Sequence, residues 1–253
     1  MNPASSKRSY EGFLKMRAYL KTTFLFLAAG FATIATADGF VIKRNPKLGA
    51  SAKYSMDVLF DANVGQGTLK ATLVEKVVDI DKNGNYSVEQ SQIDATGTFD
   101  KEKIDISPRT PITLVYKPNG QVTSIVGDLT DANSYRMENL GSLLDPGHPI
   151  KINDTWIAEI KGDKTLGTQN VRIQYKLIAE EKVGDIDTLK IKGLAKEVDA
   201  NLNAVNPPTT DFTIWISKED GSMVKLESKW TDAPFPGQSS PIPATIKILR
   251  IGS

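Results

Sequence analysis

From about residue 50 onward, apolar residues recur at every second position, and the alternation stops at turns rich in Gly, Asn, Asp and Pro. The clearest run is Val171, Ile173, Tyr175, Leu177 and Ala179, interleaved with Arg172, Gln174 and Lys176. A period of two with one apolar and one polar face specifies a strand that is buried on one side only, which points to antiparallel sheet. The pattern predicts strands over 53–60, 69–80, 86–98, 112–116, 121–126, 150–160, 171–179, 187–195, 212–216, 223–230 and 244–251. Hairpin turns are expected at Asn83-Gly84, Pro118-Asn119-Gly120 and Glu219-Asp220-Gly221, where Gly or Asn supplies the backbone angles that a tight turn needs. The alternation slips around Leu73-Val74 and again between Val88 and Ile93, so bulges are expected there. Asp38–Pro46 reads as a short leader into the fold.

Landmarks repeat at a near-constant spacing. Tyr54 and Trp156 are 102 positions apart, Gly67 and Gly167 are 100 apart, as are Gly84 and Gly184, and Gly120 and Gly221 are 101 apart. The segments Gly67–Val88 and Gly167–Leu189 both open on Gly-Thr, run as a long strand, turn at a glycine and start back. This spacing predicts a tandem repeat of one β unit. Between the copies, Ala132, Met137, Leu140 and Leu144 recur at helical spacing, with Asp128 or Thr130 available as the cap and Asp145-Pro146-Gly147-His148-Pro149 as the stop. The expected organisation is a first β unit over 38–127, a linking helix over 128–148 and a second β unit over 149–253. The fold class is mainly β: two antiparallel meanders, as curved sheets or a half-barrel, that share a core or continue edge to edge.

Residues 1–37 are read as an export signal. A basic stretch from Met16 to Lys21 precedes the apolar run Thr22–Ile34, and Ala35-Thr36-Ala37 offers the small-x-small site a signal peptidase cuts. The apolar run falls short of the ~18–20 residues that span a bilayer. Met16 is an alternative start. The chain has no Cys, so neither lipid attachment nor a disulfide is available, and a bacterial exported protein, periplasmic or extracellular and soluble, is expected. Removing 1–37 takes away five basic side chains and one acidic, which turns a formal charge of +1 into −3. No basic block follows residue 44, so nucleic acid is not expected as a partner.

Candidate chemistry is sparse. Asp79-Ile80-Asp81-Lys82-Asn83-Gly84-Asn85 copies the opening of a calcium loop, but Gln90 stands where the bidentate Glu belongs and strands flank it, so a hairpin turn is the better reading. His148 is the sole histidine, in a Pro-Gly-His-Pro corner, with no nucleophile motif to serve. The carboxylate pairs Glu180-Glu181, Asp185/Asp187 and Glu219-Asp220 fall at turns or polar faces, where charge keeps a β surface soluble. Trp215 falls on the face opposite Phe212, Ile214 and Ile216, where an exposed aromatic would mark a ligand surface, though core or inter-sheet packing is the better reading; Trp156 takes a packing position. No metal, cofactor or catalytic residue is expected.

Pro149-Ile150-Lys151-Ile152-Asn153-Asp154-Thr155-Trp156 and Lys218-Glu219-Asp220-Gly221-Ser222-Met223-Val224-Lys225 resemble recurring phrases of uncharacterised exported bacterial β-rich proteins. In those, Pro-Val-Lys-Val-Gly-Asp-Thr-Trp precedes a repeated hairpin and a Trp-Ile-x-x-x-Asp-Gly turn follows. Here Asn153 stands where Gly is usual. The resemblance would cover nearly all of the chain after the leader, and it carries no catalytic residue. More loosely, the architecture resembles the lipoprotein-carrier class, whose curved half-barrel holds acyl chains in its concave face. The expected function is non-catalytic binding of an apolar or lipid-like amphiphilic ligand against a curved sheet. The alternative is an envelope structural or protein-interaction module that uses the Pro-bearing connections 101–111 and 199–211 as contact loops; an unrecognised hydrolase is the least favoured reading.

Overall fold

The expected alternation organises the whole molecule. The computed structural model describes residues 32–36, 39–62, 65–104, 106, 110–128, 130–199, 204–238 and 240–252. Strands β1 (Ala32–Thr36) and β2 (Gly39–Lys43) pair as a hairpin. The first half continues through β3 (Ser51–Ala62), β4 (Gly65–Ile80), β5 (Tyr86–Phe99), the short β6 (Glu102–Ile104), β7 (Ile112–Tyr116) and β8 (Val122–Val126). Helix α1 (Ala132–Gly141) leads to the second half: β9 (Thr155–Ile160), β10 (Asn170–Val183), β11 (Ile186–Val198), β12 (Ala204–Ser217), β13 (Met223–Ala233) and β14 (Ile242–Gly252).

All strands from β3 onward join one curved antiparallel sheet that does not close into a barrel. Read across, its order is β9-β10-β11-β12-β13-β14-β3-β4-β5-β7-β8, with β6 beside the far end of β5. Both arrangements left open by the sequence are realised: the halves continue edge to edge and share one core. The C-terminal strand β14 makes the seam by pairing with β3 from Ala244↔Phe60 to Arg250↔Tyr54. Inward residues from both halves, from Tyr54 and Leu73 to Tyr175, Phe212 and Ile246, form one contiguous core. A smaller cluster around Leu114 and Tyr116 sits under β5, β7 and β8.

The two halves use the same device where each meander begins. Gly49 N–H donates to Val77 O at 2.9 Å, Val77 N–H to Ala50 O at 2.9 Å and Ala50 N–H to Lys47 O at 3.0 Å. A hundred residues on, Asn153 donates to Leu177 O at 2.8 Å, Leu177 to Asp154 O at 3.0 Å and Asp154 to Lys151 O at 2.9 Å. Gly49 has φ +81° and Asn153 φ +75°, so both take the left-handed conformation. Asn tolerates it because its short polar side chain can bond locally, which is why Asn153 can take the place that Gly49 has in the first half.

Several details depart from the sequence reading. Segment 39–46 is more than a leader: β2 crosses the concave face, bridged to Ile150 through Phe40, and Ile42 is fully buried. Of the expected signal, residues 32–36 form β1, while the rest of 1–37 lies outside the described residues. The helix is shorter than 128–148, and its cap is Asp131, whose Oδ1 accepts from Ser134 N–H at 2.8 Å, not Asp128 or Thr130. Leu143 and Leu144 are buried in extended chain after it. Connection 101–111 carries β6 and buries Ile104 and Ile106, and β12 begins at Ala204, inside the expected loop 199–211. At Leu73-Val74 there is no slip, since β3 and β4 pair without interruption. The irregularity in β5 falls at Asp94-Ala95, opposite Ala71, with Asp94 at φ +52°.

Helix α1 and the Pro-bearing loop close one end of the concave face. Asn133 Nδ2 donates to Phe235 O at 3.3 Å and to Gln238 O at 2.9 Å, and Gly237 N–H donates to Asp131 Oδ2 at 2.7 Å. Arg136 grips Glu197, near the C-terminal end of β11, through two parallel bonds of 2.7 and 2.9 Å. Beyond α1, Tyr175 Oη donates to Ser142 O at 2.8 Å and Trp156 Nε1 to Leu144 O at 3.1 Å, so the extended chain is stitched to the sheet.

Candidate functional site

The opposite end of the concave face is open. A cleft of about 700 Å³ lies there, between the starts of β3 and β5, the later part of β4, the β10–β11 and β12–β13 turns and the end of β14. Such a volume is in the range of small-molecule sites. Its apolar wall includes Val77, Val88, Ile186 and the rings of Tyr54 and Tyr86.

A polar row crosses its floor at successive inward positions. Gln90 on β5 lies opposite Glu75 on β4, Glu75 opposite Ala52 on β3, and two residues along β3 Tyr54 lies opposite Arg250 on β14. Glu75 follows Leu69, Ala71 and Leu73 on the buried side of β4 and is 5% exposed. A carboxylate survives there because it is bonded: Gln90 Nε2 donates to Glu75 Oε1 at 2.6 Å. Arg250 Nη1 donates to Ser222 Oγ at 2.7 Å and lies 4.0 Å from Asp220 Oδ2. Burial works to raise the Asp220 carboxyl, but bonds from Ser222 and Ser217, with Arg250 nearby, outweigh it and hold the group below its ordinary value. Tyr54 senses this row directly. Burial raises its hydroxyl pKa, Glu75 and Asp220 push the same way, and Arg250 and Arg44 oppose them.

Behind the floor lies a buried cation. Arg44, 4% exposed, places its guanidinium carbon 4.5 Å from the Tyr116 ring centroid and 5.2 Å from that of Tyr86. The two rings stack at 5.1 Å and 9°. Desolvation lowers the Arg44 pKa to about 10, against the raising influence of Tyr116, Glu75 and Glu138. It therefore remains charged at neutral pH. On α1, Glu138 is 1% exposed, and among the described residues no donor reaches either carboxylate oxygen. Desolvation pushes its pKa up to about 8 although Arg44 pulls it down.

The candidate site residues singled out in the sequence fall elsewhere, except three of the paired carboxylates. Asp81 Oδ1 accepts from Asn83 N–H at 2.8 Å and Asn85 N–H at 2.9 Å, which makes the calcium-like stretch a self-bonded hairpin turn. Those bonds, led by that from the Asn85 side chain, lower the Asp81 pKa. His148 is exposed in its corner, its Nδ1 2.9 Å from Pro146 O. Trp215 does lie opposite the inward residues, but only 4% exposed. Its Nε1 donates to Glu181 Oε1 at 2.5 Å, and the ammonium groups of Lys225 and Lys190 cover the ring at 4.3 and 5.1 Å. Among the carboxylate pairs, Glu180 meets Lys218 and Asp187 meets Lys182, while Asp185, Glu219 and Asp220 line the cleft. Glu75, Arg250 and Arg44 carry the site and were not singled out. Their available mark was a charge on the apolar face of an otherwise regular alternation.

No protein-family model matches the chain. No curated protein matches it either.

Proposed function

We propose that the protein is a non-catalytic exported binding protein that takes a small amphiphilic molecule into the open end of its curved sheet. The observation that carries this reading is the cleft, with an aliphatic and tyrosine wall beside a buried polar floor. Such a division suits a ligand with one apolar and one polar part. The middle of the concave face is filled by β2, α1 and the chain after it, so the ligand belongs at the end of the sheet and not along it. The matching turns at Gly49 and Asn153 support a duplicated module as the scaffold.

Native mass spectrometry of gently purified protein, followed by titration with a medium-chain amphiphile, tests the proposal. One-to-one uptake is expected. Ala50→Trp, an exposed position on the cleft wall, should abolish it without disturbing the core. Undiminished uptake by Ala50→Trp would remove the cleft as the site.

The second reading, an envelope interaction module, draws support from the sheet edges β8 and β9, each with a single strand neighbour among the described residues. Val126 and Ile157 there are 58% and 51% exposed. Capture of an envelope protein that is lost in a Val126→Lys/Ile157→Lys double variant would favour it over ligand binding.

A further inference from the structure

Where charged residues lie directly opposite one another on neighbouring strands of this sheet, they are nearly always of opposite sign. Lys70 and Lys247 flank Asp57, Lys76 faces Glu89, Lys229 faces Asp211 and Arg172 faces Glu159. Among the described residues two pairs break the rule, and both join β10 to β11: Arg172↔Lys196 and Lys176↔Lys192. All four side chains point outward, because Val171, Ile173, Tyr175, Ile191 and Ala195 take the inward positions of the same strands. Like charges directly opposite each other destabilise a sheet. Acids nearby offset only half of this. Glu159 Oε1 lies 3.6 Å from Arg172 Nη1, and Asp211 Oδ2 lies 3.3 Å from Lys192 Nζ. Lys176 and Lys196 are exposed, and among the described residues no carboxylate pairs with either.

The row between the two pairs carries apolar side chains. Leu194 and Ile157 lie on either side of Gln174, and they are 37% and 51% exposed. Four cations therefore frame a patch about 13 Å long in the strand direction, with Leu194 inside the frame and Ile157 beside it. We infer that this outward face of β9–β11 docks on an anionic lipid surface, with the cations against head-group phosphates and the two aliphatic side chains among the head groups. Each lysine or arginine held close to such a surface is attracted to it, and apolar side chains beside the cations add burial at the head-group level. A soluble polyanion would meet the same cations but leave Leu194 and Ile157 in water. Phosphates seated between Arg172 and Lys196, and between Lys176 and Lys192, turn two repulsions into attractions. The cleft lies on the concave side, so docking through this face leaves it open.

Vesicle sedimentation of the full chain tests this, with vesicles of equal parts phosphatidylglycerol and phosphatidylcholine set against phosphatidylcholine alone. The deciding comparison is wild type with Lys176→Glu/Lys196→Glu, because the basic and apolar residues 16–34 add the same background to both. The double variant should partition onto the anionic vesicles at least about tenfold more weakly. That difference should vanish near about 0.5 M salt. The same variant makes both like-charge pairs opposite in sign, so its melting temperature should match or exceed that of wild type, which separates lost docking from lost folding. Leu194→Ser should weaken vesicle binding and leave binding of soluble polyphosphate unchanged. Equal partition of wild type and double variant, equal partition onto the two kinds of vesicle, or a lower melting temperature in the double variant overturns the inference. Polyphosphate bound as tightly as the vesicles, with Leu194→Ser without effect, would make the face a polyanion site and overturn the lipid assignment.

Discussion

The Glu138 carboxyl should make the stability of this protein fall as pH rises through neutrality, and Glu138→Gln should abolish that fall. The group sits on α1, fully enclosed, with no hydrogen-bond donor at either oxygen among the described residues. Desolvation raises its pKa from the ordinary 4.5 to about 8, with Arg44 acting in the opposite sense. An acid whose folded pKa is raised binds its proton more tightly in the native state. Its stabilising influence is therefore complete below pH 4.5, is lost progressively as pH rises and is gone above about pH 8. At about 1.36 kcal/mol per pH unit, the interval corresponds to a loss of roughly 5 kcal/mol, or roughly 3 by pH 7. Local relaxation and water entry would trim this, so a loss of about 2–4 kcal/mol is expected between pH 5 and 8.5. That is a large share of the ~5–15 kcal/mol typical of a folded domain. Urea denaturation at half-unit pH steps would measure the effect. Wild type should lose stability steadily, and Glu138→Gln should change by less than about 1 kcal/mol over the same range. Parallel curves for the two proteins would refute the reasoning, since they would show that Glu138 reaches solvent or a donor.

Gly193→Ala should cost about 1–3 kcal/mol in a thermal melt, because a Cβ there would lie 2.2 Å from the Phe212 ring on β12. The loss should be partly recovered in the double variant with Phe212→Leu. Gly67, whose Cβ would lie 2.0 Å from Phe60 on β3, should behave alike. Glu197→Ala should cost about 2–4 kcal/mol by leaving Arg136 without its two-pronged partner, and hydrogen exchange should quicken in α1 while β3 and β14 keep their protection. Asn153→Val should cost about 1–2 kcal/mol by urea titration, because a β-branched residue is strained at φ +75°, whereas Asn153→Gly should be nearly neutral.

Strands and turns were legible because burial on one face writes a period of two, and most inward positions obey it. What misled was polar residues placed inward. Glu75 interrupts Leu69, Ala71 and Leu73 with a charge, and Gln90 does the same after Tyr86 and Val88. Read locally, each looks like a change of register; in the sheet they lie opposite each other and satisfy each other. Neither strand could announce this alone, because the compensation comes from a neighbour fifteen positions away. Arg44 was hidden differently. It follows a five-residue strand that reads as a leader, and its burial depends on rings supplied by Tyr86 and Tyr116. The capping of α1 by Asp131 was a choice among nearby acids that only the Ser134 contacts decide.

The cleft is built across the seam between the halves. Its floor takes Tyr54, Glu75 and Tyr86 from the first half, and its opposite wall takes Ile186, Asp220 and Arg250 from the second. The two sets of residues lie apart in sequence, one in each half. The pairing of β14 with β3 brings them together, with Arg250 in register with Tyr54. A duplicated meander that ended at β13 would leave β3 as an open edge and the cleft without Arg250. Sheet closure at the seam and assembly of the site are therefore the same event. A one-residue slip of β14 would turn Arg250 to the convex face and empty the floor of its cation while preserving the hydrogen-bond ladder. The inward row Ala244, Ile246 and Ile248 sets that register through burial, so the hydrophobic core of the seam positions the Arg250 charge in the cleft.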